Sequence, residues 1–461
     1  MRRTFSQFMN YAGQAKSFVK LVVKKIFQNS RTIHNSHPHL LVSDGQGNVF
    51  DIPELEMAGM SLKQCRMPDE AEIIDMPAGS NLFELPGRIP VGYDRRADKF
   101  IPLPYYRGKP VFAVAAFMAP AYSQILRSAF QTPQAAPRLP LFAYTAAGWR
   151  DDRFCVAAMR VDADIRQDVG QFDENDIANG RLAKLKSFSQ NRLVQHLVEN
   201  CVDKYHCPAA QNFTLDRWEC PVPTSPSCNA QCVGCISQQL KSTGVRATQD
   251  RLNFVPTVDE IVELTVPHLE SAPRAIISFG QGCEGEPLIQ WKLIEQSIRE
   301  IRKRTRRGTI NINTNASYPN AVERLCHAGL DSIRVSMNSA RETFYTKYYV
   351  PKNYSFQNVL ESMEVMRKHD KWISLNYFIF PGLTDDPAEI EALLAIVHRY
   401  RIDYIQMRNL NIDPDWYMDE LRLDSSPDKP IGILAWKAKI EKEAPWIRFG
   451  YFNPPREDWG R

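Results

Sequence analysis

The chain has 461 residues, 44% hydrophobic and 24% charged, the balance of a folded globular protein long enough for two or three domains. Its formal net charge of +4 is small for that length and argues against a nucleic-acid partner. The sequence holds no apolar run long enough for a transmembrane helix, and its ten cysteines are not spaced as a secreted disulfide framework.

No acidic residue precedes Asp44, while Arg2, Arg3, Lys16, Lys20, Lys24, Lys25 and Arg31 are all basic. Phe8, Ala12, Ala15, Val19, Val22 and Ile26 recur at helical spacing. Residues 1–33 therefore read as a basic amphipathic segment. Through residues 1–31 it suits contact with an anionic membrane surface or an acidic partner; the plainer reading is a solvated extension. Lys20, Lys24 and Lys25 interrupt its apolar stretch, which does not match a secretory signal.

Residues 34–190 read as a mixed α/β domain with a linker. Short apolar runs such as Leu40-Leu41-Val42, Val111-Phe112-Ala113-Val114 and Phe154-Cys155-Val156-Ala157-Ala158 predict strands, and prolines from Pro102 to Pro140 punctuate them. No catalytic motif stands there. The polar stretch 166–190 reads as the linker, leading into a helix around 187–200.

From residue 191 to 461 the pattern changes to apolar strands alternating with amphipathic helices, the mark of parallel βα units. Predicted strands are Phe213–Val222, Ala275–Phe279, Thr309–Thr314, Ser332–Met337, Ile373–Phe380 and Tyr404–Arg408, with a late strand at Ile447–Tyr451. Helices such as Pro287–Lys303 and Ala388–Tyr400 fill the gaps. The fold class is thus α/β, a partial (β/α)6 TIM-like barrel behind the N-terminal domain.

Strands buried on both faces read as unbroken apolar runs. These do not, and the polar exceptions follow strand parity. Asn311, Asn313 and Asn315 share a face; so do Arg334, Ser336 and Asn338; so do Ser374 and Asn376, and Gln406 and Arg408. Buried polar groups need partners. Four strands with a polar face toward one interior predict a place for a polar ligand, with Asn315, Asn338 and Arg408 at the C-terminal strand ends where barrel enzymes carry function.

The loop after the first predicted strand holds Cys228, Cys232 and Cys235, spaced C-x3-C-x2-C. Three clustered thiols suit part of a zinc site, buried packing, or an iron–sulfur cluster with one iron left open for a small molecule. The trio resembles the signature of the radical S-adenosylmethionine (radical SAM) superfamily. Gly285-Glu286-Pro287 after the second strand is similar to that family's glycine–glycine–glutamate–proline segment, and the resemblance spans residues 212 to 411. Two positions depart from the pattern: Gly234 stands where the family often has an aromatic residue, and Glu284 where it has glycine.

The resemblance implies a [4Fe–4S] cluster on Cys228, Cys232 and Cys235 and S-adenosylmethionine (SAM) as the second cofactor. It places Gly285 and Glu286 by the SAM amino group. Asn313, Asn315, Arg334, Ser336 and Asn338 fall by the ribose and carboxylate, and Ile379 by the adenine. It implies reductive cleavage of SAM to a 5′-deoxyadenosyl radical, which takes hydrogen from a substrate that the sequence does not identify. A peptide or protein maturase and a small-molecule enzyme are both open, as is a scaffold that kept the barrel and a zinc or iron–sulfur site without turnover. Cys283, Glu284 and Arg408 are the catalytic candidates. A reducing donor such as ferredoxin or flavodoxin is the implied partner, and a cytoplasmic location, peripheral to the membrane if residues 1–31 bind it, is expected. Cys201, Cys207 and Cys220 read either as auxiliary-cluster ligands or as ordinary buried thiols.

Overall fold

The computed structural model describes residues 37–423 and 429–460, so the basic segment read over residues 1–31 lies outside the described residues. The chain divides into two compact units: Met1–Val161 with Ile379–Ile390 and Asn409–Lys439, and Asp162–Phe378 with Glu391–Arg408 and Ile440–Arg461.

The first unit is β-rich. Its regular structure up to Val161 is strand, apart from a 3-10 turn at Glu70–Glu72, among the described residues. The strand His39–Ser43 pairs antiparallel with Val49–Met57, Phe112–Phe117 and Ala147–Arg150. It is apolar on both sides because both sides are covered. Leu41 packs with Val49, Val114 and Val156, while Leu40 and Val42 pack with Ile52, Leu55 and Val111. The segment beyond Asn409 joins this unit through a buried ion pair, Arg88 to Asp413 at 2.9 Å, and Asp413 also accepts from the Leu139 amide at 2.7 Å.

The second unit opens with a helix, Glu174–Ser187, where the sequence reads as linker. Its apolar residues form no single stripe, so periodicity does not reveal it. Asp173 caps it by accepting from the Asn175 and Asp176 amides. Gly180 looks like a breaker, yet a Cβ there would lie 2.3 Å from the Thr214 carbonyl oxygen, so glycine serves a close approach. The helix expected around 187–200 forms as Arg192–Gln195, capped by Asn191, and continues as a π-helical stretch, His196–Lys204. The first predicted strand is shorter than expected. Pro208 at the first helical position starts a helix, Pro208–Thr214, so residues 213 and 214 are helical and the strand begins only at Glu219.

Seven parallel strands follow in sequential order: β1 (Glu219–Val222), β2 (Ile276–Phe279), β3 (Thr309–Thr314), β4 (Ser332–Met337), β5 (Trp372–Ile379), β6 (Tyr404–Asn409) and β7 (Arg448–Gly450). Helices α1 (Val258–Ser271), α2 (Trp291–Arg304), α3 (Pro319–Ala328), α4 (Glu342–Tyr349), α5 (Phe356–Lys368), α6 (Pro387–Tyr400) and α7 (Ile433–Glu443) connect them. Ile310, Ile312, Ile333, Val335, Met337, Leu375 and Tyr377 are fully buried and supply the apolar parity of the strands. The opposite parity faces the concave side. Arg334 on β4 donates to Gln406 on β6 at 3.1 Å, past the intervening β5. Asn453, just after β7, donates to Glu219 on β1 at 2.7 Å and accepts from Gln406 at 2.8 Å. Only a sheet curled on itself brings the first and sixth strands to one amide, which makes this a partial barrel.

Candidate active site

The loop carrying Cys228, Cys232 and Cys235 is fixed on both sides. The amides of Gln231 and Val233 donate to the Tyr349 and Tyr348 carbonyls at the end of α4, at 3.0 and 2.9 Å, and the Lys352 amide donates to the Asn229 carbonyl at 2.8 Å. On the other side Glu284 grips the residues just after β1. Its Oε2 accepts from the Thr224 and Ser225 amides at 2.7 and 2.9 Å and from the Thr224 hydroxyl, and its Oε1 accepts from the Gln281 amide at 2.7 Å. Burial nonetheless pushes this carboxyl up to about 7. With four donors engaged, Glu284 acts here as a loop clamp.

The three sulfurs are half-buried and lie close enough to act on one another electrostatically. Burial pushes the Cys228 thiol up to about 11 and the Cys232 thiol well above the ordinary range. Arg251, which no periodic pattern singles out, donates to Cys235 Sγ at 3.5 Å and to Ser237 Oγ at 3.1 Å. Ser237 in turn donates to the Glu284 carbonyl at 3.0 Å.

Gly285 and Glu286 run alongside the start of this loop, their amides donating to the Ser225 and Ser227 carbonyls at 2.7 and 2.8 Å. A Cβ on Gly285 would sit 2.0 Å from the Ser227 carbonyl oxygen, so only glycine allows the approach. The Glu286 side chain caps the 3-10 turn Pro287–Gln290 by accepting from the Leu288 amide at 3.0 Å. It also accepts from the Thr314 hydroxyl and, at 2.9 Å, from the Asn315 amide at the end of β3. Asn315 Nδ2 donates to Asn229 Oδ1 at 2.8 Å, and Asn229 Nδ2 to Ser317 Oγ at 2.8 Å. Glu286, Asn315 and Asn229 thus tie the β2 loop, the β3 end and the cysteine loop together. Asn229 directly follows Cys228, and that adjacency was the one sequence signal for it.

Inside the barrel, the asparagines of β3 are largely satisfied within the protein. Asn311 donates to Asn313 Oδ1 at 2.8 Å and accepts from Ser332 at 2.8 Å; Asn313 donates to the Gly280 carbonyl at 2.7 Å and accepts from Asn453 at 3.3 Å. Asn338 donates to the Phe344 carbonyl at 3.3 Å. Polar capacity is left over one sector further on. Ser336 and Asn376 are register partners on β4 and β5. Both are half-buried, the Ser336 hydroxyl makes no hydrogen bond among the described residues, and Asn376 Oδ1 is buried without a partner. Arg334 Nε is likewise buried and unpartnered, and burial with the nearby Arg408 charge pulls that guanidinium down to about 9. Arg408 stacks on the Tyr451 ring at 3.9 Å. Two neighbouring cations and two unmet amide or hydroxyl groups thus share one concave face, a chemistry suited to an anionic, polar ligand.

A family model described as the radical SAM superfamily matches residues 222–394. The match runs from the end of β1 into α6. That superfamily works by reductive cleavage of SAM at a [4Fe–4S] cluster. Among solved structures, the chain resembles methylornithine synthase at 12% identity and a TM-score of 0.35, covering 60% of this chain and 77% of that one. It resembles the [FeFe]-hydrogenase maturase HydG at 13% identity and a TM-score of 0.33, covering 60% of this chain and 66% of that one. It resembles Streptococcus suis SuiB bound to S-adenosylmethionine at 15% identity and a TM-score of 0.34, covering 63% of each. No curated protein matches the chain.

The donor set fits the radical SAM cofactors. Three thiols on one pinned loop suit three corners of a cubane, and the raised Cys228 and Cys232 thiols mean that iron binding must displace protons from those two. The remaining sequence-predicted residues lie apart from that loop or serve other contacts. Ile379 is fully buried at the end of β5, in the β-rich unit, where its carbonyl accepts from Gln124 Nε2 at 3.1 Å. Cys220 is buried on β1, and its thiol is pushed far up by burial. Cys201 lies 3.6 Å, sulfur to sulfur, from Cys283. No described helix is long and apolar enough to cross a membrane.

Proposed function

We propose that this chain uses Cys228, Cys232 and Cys235 to hold the [4Fe–4S] cluster and the concave face of β4 to β6 to hold SAM and a substrate. When bound and reduced, the cofactors would supply the radical chemistry that takes hydrogen from that substrate. The observation that carries the reading is the cysteine loop itself, half-buried and fixed by backbone bonds to α4, by the Glu284 clamp and by the Glu286–Asn315–Asn229 chain.

The protein's own groups then divide the work. Gly285 and Glu286 shape the β2 loop, and Glu286 orients the β3 end through the Asn315 amide. Ser336 and Arg334 meet the polar end of SAM. Arg408, stacked and fixed on Tyr451, meets an anionic group of the substrate, a small molecule or the acidic part of a peptide. The strand walls exclude water that would quench a radical. A ferredoxin- or flavodoxin-class donor supplies the electron, in the cytoplasm, with residues 1–31 as a membrane-surface contact.

The test is SAM turnover in anaerobically reconstituted protein reduced with dithionite. The expected result is 5′-deoxyadenosine formation that rises when a substrate-containing fraction of native extract is added. It should lose that rise, but not the basal cleavage, in Arg408→Gln. Substrate-stimulated turnover unchanged in Arg408→Gln would remove Arg408 from the substrate contact.

A further inference from the structure

A second cluster of ligand groups lies outside this chemistry. His196, Cys201 and Cys283 bring one ligand-competent atom each to a common place, all within 4.8 Å of one another. The first two come from the π-helical stretch His196–Lys204, the third from the loop after β2. Their position five residues apart matters. On an α-helix of about 3.6 residues per turn, such residues point roughly 140° away from each other. The i→i+5 bonding of a π-helix brings them back toward one side, and π-helical turns, rare overall, are frequent at functional sites.

The spacing of the sulfurs suits a metal. Cys201 and Cys283 are 3.6 Å apart. Two thiolates bound at about 2.3 Å to a tetrahedral centre stand roughly 3.8 Å apart, a few tenths of an ångström wider. A disulfide would require closure to about 2.05 Å. Both cysteines are almost wholly buried, at 4% and 6% exposure. His196 Nε2 is buried with no hydrogen-bond partner, an unmet group that costs stability unless something binds it. The His196 ring is set edge-on to Phe254, with centroids 6.3 Å apart, which holds its orientation. Asn200 Nδ2 lies 3.9 Å from Cys201 Sγ, placed to steady a thiolate. Cys207 sits one turn on, its amide donating to the Cys201 carbonyl at 2.8 Å.

We propose that His196, Cys201 and Cys283 bind one zinc-class divalent ion, with water in the fourth position, at a site distinct from the cysteine loop at Cys228. Binding displaces the two thiol protons to solvent and forms two metal–sulfur bonds and one metal–nitrogen bond. The ion would lock the π-helical stretch onto the loop after β2. Cys283 immediately precedes Glu284, so the same lock would steady the clamp on Thr224 and Ser225 that begins the cysteine loop.

The test uses the full-length chain with Cys228, Cys232 and Cys235 all replaced by Ala, so that failure of the cluster assignment cannot be mistaken for failure of this one. Elemental analysis of protein grown with added zinc should find about one zinc per chain and no iron, a stoichiometry set by a single three-ligand site. Zinc should fall to background on adding Cys201→Ser or His196→Ala. Should those variants not fold, the same triple-Ala chain exchanged with cobalt gives a second readout. Two thiolate ligands produce an intense sulfur-to-cobalt charge-transfer band, which zinc addition should abolish. Zinc content unchanged by Cys201→Ser, absence of both zinc and the cobalt band, or iron in place of zinc in the triple variant would each overturn the proposal.

Discussion

With the cluster held as proposed by Cys228, Cys232 and Cys235, Arg251 is placed to tune it. Its guanidinium donates to Cys235 Sγ at 3.5 Å, and Ser237 holds its Nε at 3.1 Å. A cation at a ligating sulfur stabilises the reduced, more negative state and raises the potential. At 3.5 Å and an effective dielectric of about 20, a full electron on that sulfur would gain about 5 kcal/mol. With about a quarter of the added charge at this one of four corners, roughly 1.2 kcal/mol remains, or about 50 mV for a one-electron couple. Arg251→Gln should therefore lower the cluster midpoint by about 50 mV, with Arg251→Lys falling between it and the parent. A redox titration followed by electron paramagnetic resonance reads this directly. Midpoints for Arg251→Gln and parent that agree within the error of the titration would refute the reasoning, as would a rise.

Gly285→Ala should displace the loop before Cys228, because its Cβ would meet the Ser227 carbonyl oxygen at 2.0 Å; the expected cost is about 3 kcal/mol, read as a lower urea midpoint and reduced iron loading. Glu286 is pushed up to about 7 by burial, against 4.5 for an ordinary glutamate. The fold therefore holds a proton there that the unfolded chain releases, a contribution present below about pH 4.5 and lost as pH rises through about 7. The unfolding free energy of the parent minus that of Glu286→Gln should accordingly fall between about pH 5 and pH 8 by about 1–3 kcal/mol; a flat or rising difference would contradict the assignment. For residues 1–31, flotation with anionic vesicles should retain the full chain and release it as salt screens exposed charge over about 8–10 Å. Equal retention of a chain starting at His34 would end the membrane reading.

The barrel is legible in the sequence because short strands with an apolar parity alternate with amphipathic helices, and the observed bounds of β3 and β4 are those the pattern gives. The concave face is legible too, since parity alone sorts Asn311, Asn313, Arg334, Ser336, Asn376 and Arg408 onto it. What those groups do is not. Asn313 bonds to Gly280 and to Asn453, a residue after β7 that no local pattern links to β3, because that contact exists only once the sheet has curled. The helix Glu174–Ser187 escapes notice because its face is polar nearly all round, and the strand expected from Phe213 starts only at Glu219 because Pro208 opens a helix that takes up its first residues. The meeting of Cys201 with Cys283 and His196 depends on a π-helical winding that sequence periodicity does not encode.

The cysteine loop carries the proposed function, and the yield of 5′-deoxyadenosine from SAM is its sharpest test. Anaerobically reconstituted, dithionite-reduced protein should form 5′-deoxyadenosine and methionine in equal amounts, and Cys228→Ala, Cys232→Ala and Cys235→Ala should each abolish both the product and the cluster's visible absorption. A single cysteine variant that keeps normal iron content and normal 5′-deoxyadenosine yield would contradict the account.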